Sequence, residues 1–311
     1  MAGRRKPHFL TDQAGFRSAS YGPFILQSGF QPIFSQDAEG RLTIEAFEAL
    51  IRPMSNGQRV SPGHFFSLVE PEDAVFVDTM CRELHILNMG KLGRKKARLF
   101  INFNPSLFHE LAEIDDEADR MVSVAIEAGL RPSRIVCEIT EQGSGDNSVL
   151  NRLVSSLRAR MFKIAVDDFG ADDSDIARVT ELNPDILKFD AAWVRRFTET
   201  SAGMGLLKLM VERFTSQGIT VLFEGLEEDH QVDFCSEIGV KLMQGYALAR
   251  PEIVPTSFSE RFPEFPDRPE PEAVYHAAPA ANAEETGGLP RRSGNAAAPF
   301  RRAATFGKRT R

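Results

Sequence analysis

A succession of short apolar runs, each closed by a polar residue and each separated from the next by a stretch of helical periodicity, constrains this chain most. The runs lie near Gln31–Ser35, Glu45–Leu50, Arg98–Phe103, Arg134–Ile139, Phe162–Val166, Pro184–Phe189, Ile219–Phe223 and Lys241–Gln244. Most are rich in Ile, Val, Leu and Phe and alternate little. Strands buried on both faces read this way, because helices cover the sheet on each side. Between the runs, Asp73–Leu92 carries Val77, Met80, Leu84 and Leu87 at helical spacing. Asn147–Arg160 carries Leu150, Leu153, Val154 and Leu157, and Gly203–Gln217 is similar. Eight strand-helix units in about 240 residues predict an α/β fold, a (β/α)8 barrel of TIM type. No internal repeat is evident.

The polar residues that close the runs fall at one end. The second run carries Glu48, the third ends at Asn102, the fourth at Glu138 and the fifth at Asp167 and Asp168. The sixth carries Lys188, the seventh ends at Glu224 and the eighth at Gln244. In a barrel the C-terminal strand ends converge on one face, where such enzymes place their chemistry. Taken one at a time, each acid reads as a loop cap or a solvated residue, and Asp167-Asp168 as a helix N-cap pair. Their recurrence at the same end of successive strands points instead to one shared site. Carboxylates gathered in a low-dielectric pocket repel one another, so either several are protonated or divalent cations hold them. Ligands that are all oxygen suit hard ions such as Mg²⁺ or Mn²⁺. The histidines are scattered and form no ligand pair, which argues against a histidine-based metal phosphodiesterase. Two ions about 3.5–4 Å apart are a common device for phosphodiester hydrolysis.

Composition bounds the rest. The formal net charge is −7, yet from Thr286 onward the chain holds seven Lys and Arg residues and no acid, so the body before it is distinctly acidic. Residues 1–20 read as a polar extension, 21–262 as the barrel domain, and 263–311 as a disordered tail rich in Pro, Ala and Arg. The basic stretch holds only Phe300 and Phe306 as aromatics and reads as a solvating or tethering tail, so nucleic acid is not the expected partner. No apolar run is long enough for a membrane span, and no apolar stretch follows the basic start, so neither a membrane partner nor a secretory signal is expected. Cys81, Cys137 and Cys235 are isolated and read as reduced core thiols, which favours the cytoplasm.

Glu48-Ala49-Leu50-Ile51-Arg52 resembles the E-A-L-L-R signature of EAL-type cyclic di-GMP phosphodiesterases. The likeness continues through Ser61-Pro62 with Phe65, Ile101-Asn102-Phe103-Asn104-Pro105, Glu138-Ile139-Thr140-Glu141 and Asp167-Asp168-Phe169-Gly170. Leu187-Lys188-Phe189-Asp190, Glu224-Gly225-Leu226-Glu227 and Gln244-Gly245-Tyr246 complete it. The ordered set covers roughly Gln31 to Pro251. The resemblance implies an EAL barrel whose first strand is antiparallel to the rest, and the opening of cyclic di-GMP to the linear dinucleotide pGpG. Glu48, Asn102, Glu138 and Asp167 would bind one Mg²⁺ or Mn²⁺. Asp167 would bridge to a second, held also by Asp168 and Glu224, and Glu224 would share in catalysis. Lys188 would touch the attacking water or the scissile phosphate. Arg52, Leu50 and Gln244 would contact ligand, while Glu141 and Glu227 would brace their loops. Ala171-Asp172-Asp173-Ser174-Asp175 departs from the family's usual T-G-Y-S-S, in a loop that couples the metal site to a homodimer. The alternative is therefore a weak or inactive barrel that acts as a cyclic di-GMP receptor or binds a regulatory protein of unknown identity.

Overall fold

The computed structural model describes residues 7–108, 111–139, 147–170 and 175–264. In chain order the strands are β1 (Phe9–Thr11), β2 (Arg17–Tyr21), β3 (Phe24–Gln36), β4 (Leu42–Ser55), β5 (Gln58–Arg59), β6 (Arg98–Phe103) and β7 (Ile135–Ile139). They continue with β8 (Lys163–Phe169), β9 (Ile186–Phe189), β10 (Thr220–Phe223), β11 (Leu242–Met243) and β12 (Glu252–Ile253). The helices are α1 (Pro62–Ser67), α2 (Ala74–Lys91), α3 (Leu111–Glu127), α4 (Asn147–Ala159) and α5 (Asp175–Leu182). They end with α6 (Ala191–Thr198), α7 (Ser201–Ser216), α8 (Asp229–Ile238) and α9 (Phe258–Arg261).

Strands β3, β4 and β6 to β11 close into the expected eight-stranded barrel. Pairing is parallel from β4 through β6 to β11, and β3 joins both β4 and β11 antiparallel, as the resemblance implied. Inside the barrel lies one apolar layer with a single residue from every barrel strand: Ile33, Ala46, Phe100, Val136, Ala165, Ile186, Leu222 and Leu242. The outward-facing residues of the same strands pack on the helices in a larger core that includes Phe47, Leu99, Leu153, Val211 and Phe223. Burial on both faces is what removed the alternation from the sequence. Side-chain caps fix where the helices begin at the sixth unit: Asp190 Oδ1 accepts from Trp193 N at 2.8 Å, and Thr200 Oγ1 from Gly203 N at 3.0 Å. Among the described residues no helix is long and apolar enough to cross a membrane.

Two segments behave otherwise than their composition suggests. Within the stretch read as a polar extension, β1 and β2 form a hairpin that pairs antiparallel onto β3. Its one fully buried side chain, Ala19, joins a second, smaller core with Leu26, Phe65, Val77, Met80 and Leu84. At the other end the packed chain runs past residue 262. Glu264 accepts from the backbone N–H groups of Lys95, Lys96 and Ala97 at 2.8, 3.2 and 3.4 Å, and the Phe262 ring meets Phe34 with centroids 4.9 Å apart. Residues 265–311, which hold nearly all of the expected tail, lie outside the described residues.

Candidate active site

The apolar layer inside the barrel places the candidate residues. Side chains two positions apart on a strand share a face. Two residues beyond Ala46, Phe100, Val136, Ala165, Ile186, Leu222 and Leu242 stand Glu48, Asn102, Glu138, Asp167, Lys188, Glu224 and Gln244. On antiparallel β3 the matching position, two residues before Ile33, is Gln31, which pairs with Glu48. The polar residues thus form the next layer toward the C-terminal mouth. Sequence reasoning missed Gln31, because its strand runs the other way and its polar residue precedes the apolar one.

Lys188 is the hub of this layer. Its Nζ lies 2.8 Å from Glu138 Oε1, 2.9 Å from Asp167 Oδ1, 3.1 Å from Glu224 Oε2 and 3.9 Å from Glu48 Oε1. Lys188 is 1% exposed and Glu138 0%. Burial alone would lower the lysine pKa, but Glu138, Glu48, Asp167 and Glu224 outweigh it and hold the ammonium well above its ordinary value. Burial raises Glu138 well above the usual carboxylate range; Lys188 opposes this, and Glu48 and Asp167 add to it. Burial likewise pushes Glu224 up to about 7, against Lys188 and with Asp167. Asp168 is raised by burial and by Asp167. Gln244 Nε2 donates to Glu48 Oε2 at 2.6 Å and fixes that carboxylate from the closing strand.

Asp168 stands at an odd position in this scheme, since a regular strand would turn it away from Asp167. The β8–β9 pairing shifts register between Val166 and Phe169, and Asp168 adopts φ +57°. This bulge brings carboxylate oxygens of Asp167, Asp168 and Glu224 within 4.8 Å of one another. A left-handed non-glycine residue costs roughly 1 kcal/mol or more, and such strain clusters at functional sites. Two glycines beside the layer are dictated by close approach. A Cβ on Gly225 (φ +64°) would stand 2.2 Å from the Ala191 Cβ, and one on Gly245 would stand 2.0 Å from the Leu226 carbonyl oxygen.

The donor set fits a hard divalent cation. Four carboxylates face one ammonium, so the cluster keeps an excess of negative charge. Neither oxygen of fully buried Glu138 accepts a well-directed hydrogen bond, although Lys188 lies close to one of them. Such orphaned acceptors are rare without an ion or water to meet them.

Beside Glu48, a cavity of about 490 Å³ opens between the end of β4 and α2, lined by Leu50, Arg52, Asp78, Arg82, His85 and Asn102. Arg82 is buried, paired with Asp78 and with Glu117 Oε1 at 2.7 Å, and lies over the Phe103 ring at 4.5 Å. Half-buried Arg52 borders this cavity and a neighbouring one shared with Arg59, Tyr246 and Arg250. Asp78, Arg82 and His85 were not singled out in the sequence; their recurrence at helical spacing along one face of α2 was the available signal. Glu227 stands apart from the cluster. Its side chain is 60% exposed and lies 3.6 Å from Arg195, and only its backbone N–H is held, by Gln231. Glu141 and residues 171–174 lie outside the described residues.

Residues 26–251 match the EAL domain family. The chain belongs to that family. A cyclic di-GMP phosphodiesterase of Pseudomonas aeruginosa, RocR, is 29% identical over 231 residues, which are 71% of this chain and 56% of the relative. The chain thus spans little more than half of that protein. Among solved structures, the calcium and cyclic di-GMP complex of Klebsiella pneumoniae BlrP1 aligns with a TM-score of 0.66 and 28% identity, over 79% of this chain and 59% of the other. A standalone EAL protein from Vibrio cholerae, in its cyclic di-GMP-bound form, aligns with a TM-score of 0.65 and 26% identity, over 74% of this chain and 94% of the other.

Proposed function

We propose that this EAL barrel hydrolyses cyclic di-GMP to linear pGpG with two divalent cations, Mg²⁺ or Mn²⁺. The observation that carries the reading is the polar layer: carboxylates from β4, β7 and β8 and from the end of β10 meet one buried lysine, beside a cavity able to take a base. Glu48, Asn102, Glu138 and Asp167 would hold one ion, and Asp167, Asp168 and Glu224 would hold the second. When bound, the ions would supply Lewis-acid stabilisation of the phosphate and activation of water.

The chain's own groups do the rest. Lys188, held charged by its carboxylates, presents a fixed ammonium where charge grows on the phosphate. Gln244 keeps Glu48 from rotating out of the layer. Arg52 binds a phosphate at the cavity mouth, and Leu50 packs against the ligand. The cavity offers acceptors at Asp78 and Asn104 and a donor at Arg82, whose Nε has no partner among the described residues. Donors and acceptors set side by side are what a purine edge reads. Glu141 and Glu227 act, in this reading, through their loops. A homodimer and a cytoplasmic setting belong to the same reading; the three cysteines are buried and unpaired.

The test is incubation of the purified protein with cyclic di-GMP and Mg²⁺ or Mn²⁺, followed by chromatography. Conversion to pGpG supports the reading. Tight binding in Ca²⁺ with no turnover in either activating ion makes the chain a receptor, and absence of binding overturns both.

A further inference from the structure

The β1–β2 hairpin precedes the stretch that matches the family, yet a continuous hydrogen-bond chain, part-buried at the hairpin and buried beyond it, ties it to the wall of the 490 Å³ cavity. Arg17 N donates to Asn88 Oδ1 at 2.7 Å, and Asn88 Nδ2 donates to Arg17 O at 2.9 Å, so the amide of Asn88 reads β2 as a neighbouring strand would. The same Nδ2 donates to Ser28 Oγ at 3.0 Å, and Ser28 Oγ lies 2.9 Å from His85 Nδ1. Asn88 and Ser28 are 0% exposed and His85 5%. The Asn88–Ser28 and Ser28–His85 links are therefore out of water, where an unmade hydrogen bond is costly, and the Arg17–Asn88 pair at the hairpin end is part-buried.

The chain crosses α2. One face of this helix, through Val77, Met80 and Leu84, packs with Ala19 and Leu26 in the smaller core. Another carries Asp78, Arg82 and His85 into the cavity. A helix held on one face by a hairpin cannot roll without breaking those links. Tyr21 adds a second anchor, its hydroxyl donating to Asp73 Oδ2 at 3.1 Å just before α2 begins. Burial, with Arg52 nearby, lowers the His85 pKa to about 3, so the ring sits neutral beside the cavity and serves as a wall rather than a charge.

We propose that the hairpin is a brace that sets the rotation of α2, and so the placing of Asp78, Arg82 and His85 in the ligand cavity, with Asn88 as the positioning residue through which it acts. The inference rests on the reading of that cavity as a cyclic di-GMP subsite. Asn88→Ala breaks the chain at the hairpin. Ser28→Ala breaks it on the barrel side while leaving the Asn88–Arg17 pair intact. Each variant, when folded by circular dichroism, should bind cyclic di-GMP in Ca²⁺ about tenfold more weakly, since each breaks two or more links of the chain. In Mg²⁺ the KM should rise with kcat retained, because Lys188 and the carboxylates that meet it are carried by the barrel strands rather than by α2. A ligand-free readout accompanies it. Cys81 borders the same cavity from α2, and its labelling by a thiol reagent should speed up in both variants while that of Cys137 does not. Affinity within twofold of the parent, with Cys81 labelling unchanged, overturns the brace. Should Asn88→Ala not fold, Ser28→Ala decides. A parent protein that binds no cyclic di-GMP refutes the functional reading instead, and the labelling rates then judge the brace alone.

Discussion

Replacing Lys188 with methionine removes the one cation among four carboxylates while keeping most of the side-chain volume. Its Nζ makes three contacts of 2.8–3.1 Å and one of 3.9 Å. At an effective dielectric constant of about 20, each of the short contacts represents roughly 5–6 kcal/mol of gross attraction, most of it offset by desolvation. Removing one partner of a buried ion pair costs about 3–5 kcal/mol net, because the remaining charges are left uncompensated. In a barrel of this size about 1 kcal/mol corresponds to roughly 2–4 °C. The metal-free variant should therefore melt about 10 °C below the parent. Millimolar Mg²⁺ or Mn²⁺ should close much of that gap, since the cations neutralise the same oxygens, and hydrolysis should be lost under both conditions. Thermal unfolding in chelator and across a metal titration provides the measurement. A variant that melts within about 2 °C of the parent in chelator, or a gap that Mg²⁺ leaves unchanged, would refute the view of Lys188 as the counter-ion of a metal-binding cluster.

Four further outcomes follow from the geometry. Asp167→Asn, nearly isosteric, should lower kcat/KM at least about a hundredfold with the fold intact, if the proposed sharing of Asp167 by both ions holds; steady-state kinetics at saturating Mg²⁺ decide. Asp168→Gly should raise the metal-free melting temperature by an amount equivalent to roughly 1 kcal/mol, through relief of the left-handed backbone, and weaken metal binding in the same sample by calorimetry. A chain ending at Pro263 should be about 1 kcal/mol less stable to urea than one ending at Glu264, which keeps the carboxylate on three backbone N–H groups. Asp115 is held down at about 2 by hydrogen bonds from Ser156 and Arg152, which join α3 to α4. A depressed carboxylate stabilises above its unfolded pKa and loses that contribution as pH falls through the folded value, so urea melts should show a stability gap to Asp115→Asn at pH 7 that closes as pH falls from about 4 to about 2.

The barrel was legible because burial on both faces leaves a mark in the sequence. Strands β4 and β6 to β10 begin and end within a few residues of the apolar runs that predict them. The hairpin left no such mark. Of its residues only Ala19 is fully buried, and its hydrogen bonds to Asn88 of α2 are made by the backbone of Arg17, which carries no side-chain signature. Glu264 was hidden for a related reason. Its partners are main-chain N–H groups about 170 residues away, and within a Pro-rich stretch it reads as one more solvated acid. Lys188 was visible as a polar residue in an apolar run, but its role as hub depends on four strands closing around it.

The candidate site was legible to the extent that it obeys the two-residue period of a strand. Glu48, Asn102, Glu138, Asp167, Lys188, Glu224 and Gln244 each follow a barrel-filling residue by two, so the pattern that announces the strand also aims the side chain. Asp168 and Glu227 show where the period stops. Asp168 follows Ala165 by three and would face the helices, were the chain not bulged at that point into a left-handed turn. The strain falls where a second carboxylate is set beside Asp167, which ties the backbone anomaly to the acidic cluster of Asp167, Asp168 and Glu224. Glu227 lies past the end of β10, beyond the sharp turn at Gly225, where no strand directs it. Its side chain accordingly meets Arg195 at the rim. Two acids in one short motif, Glu224 and Glu227, therefore part company on geometry: the first belongs to the barrel layer, and the second to the loop that carries it.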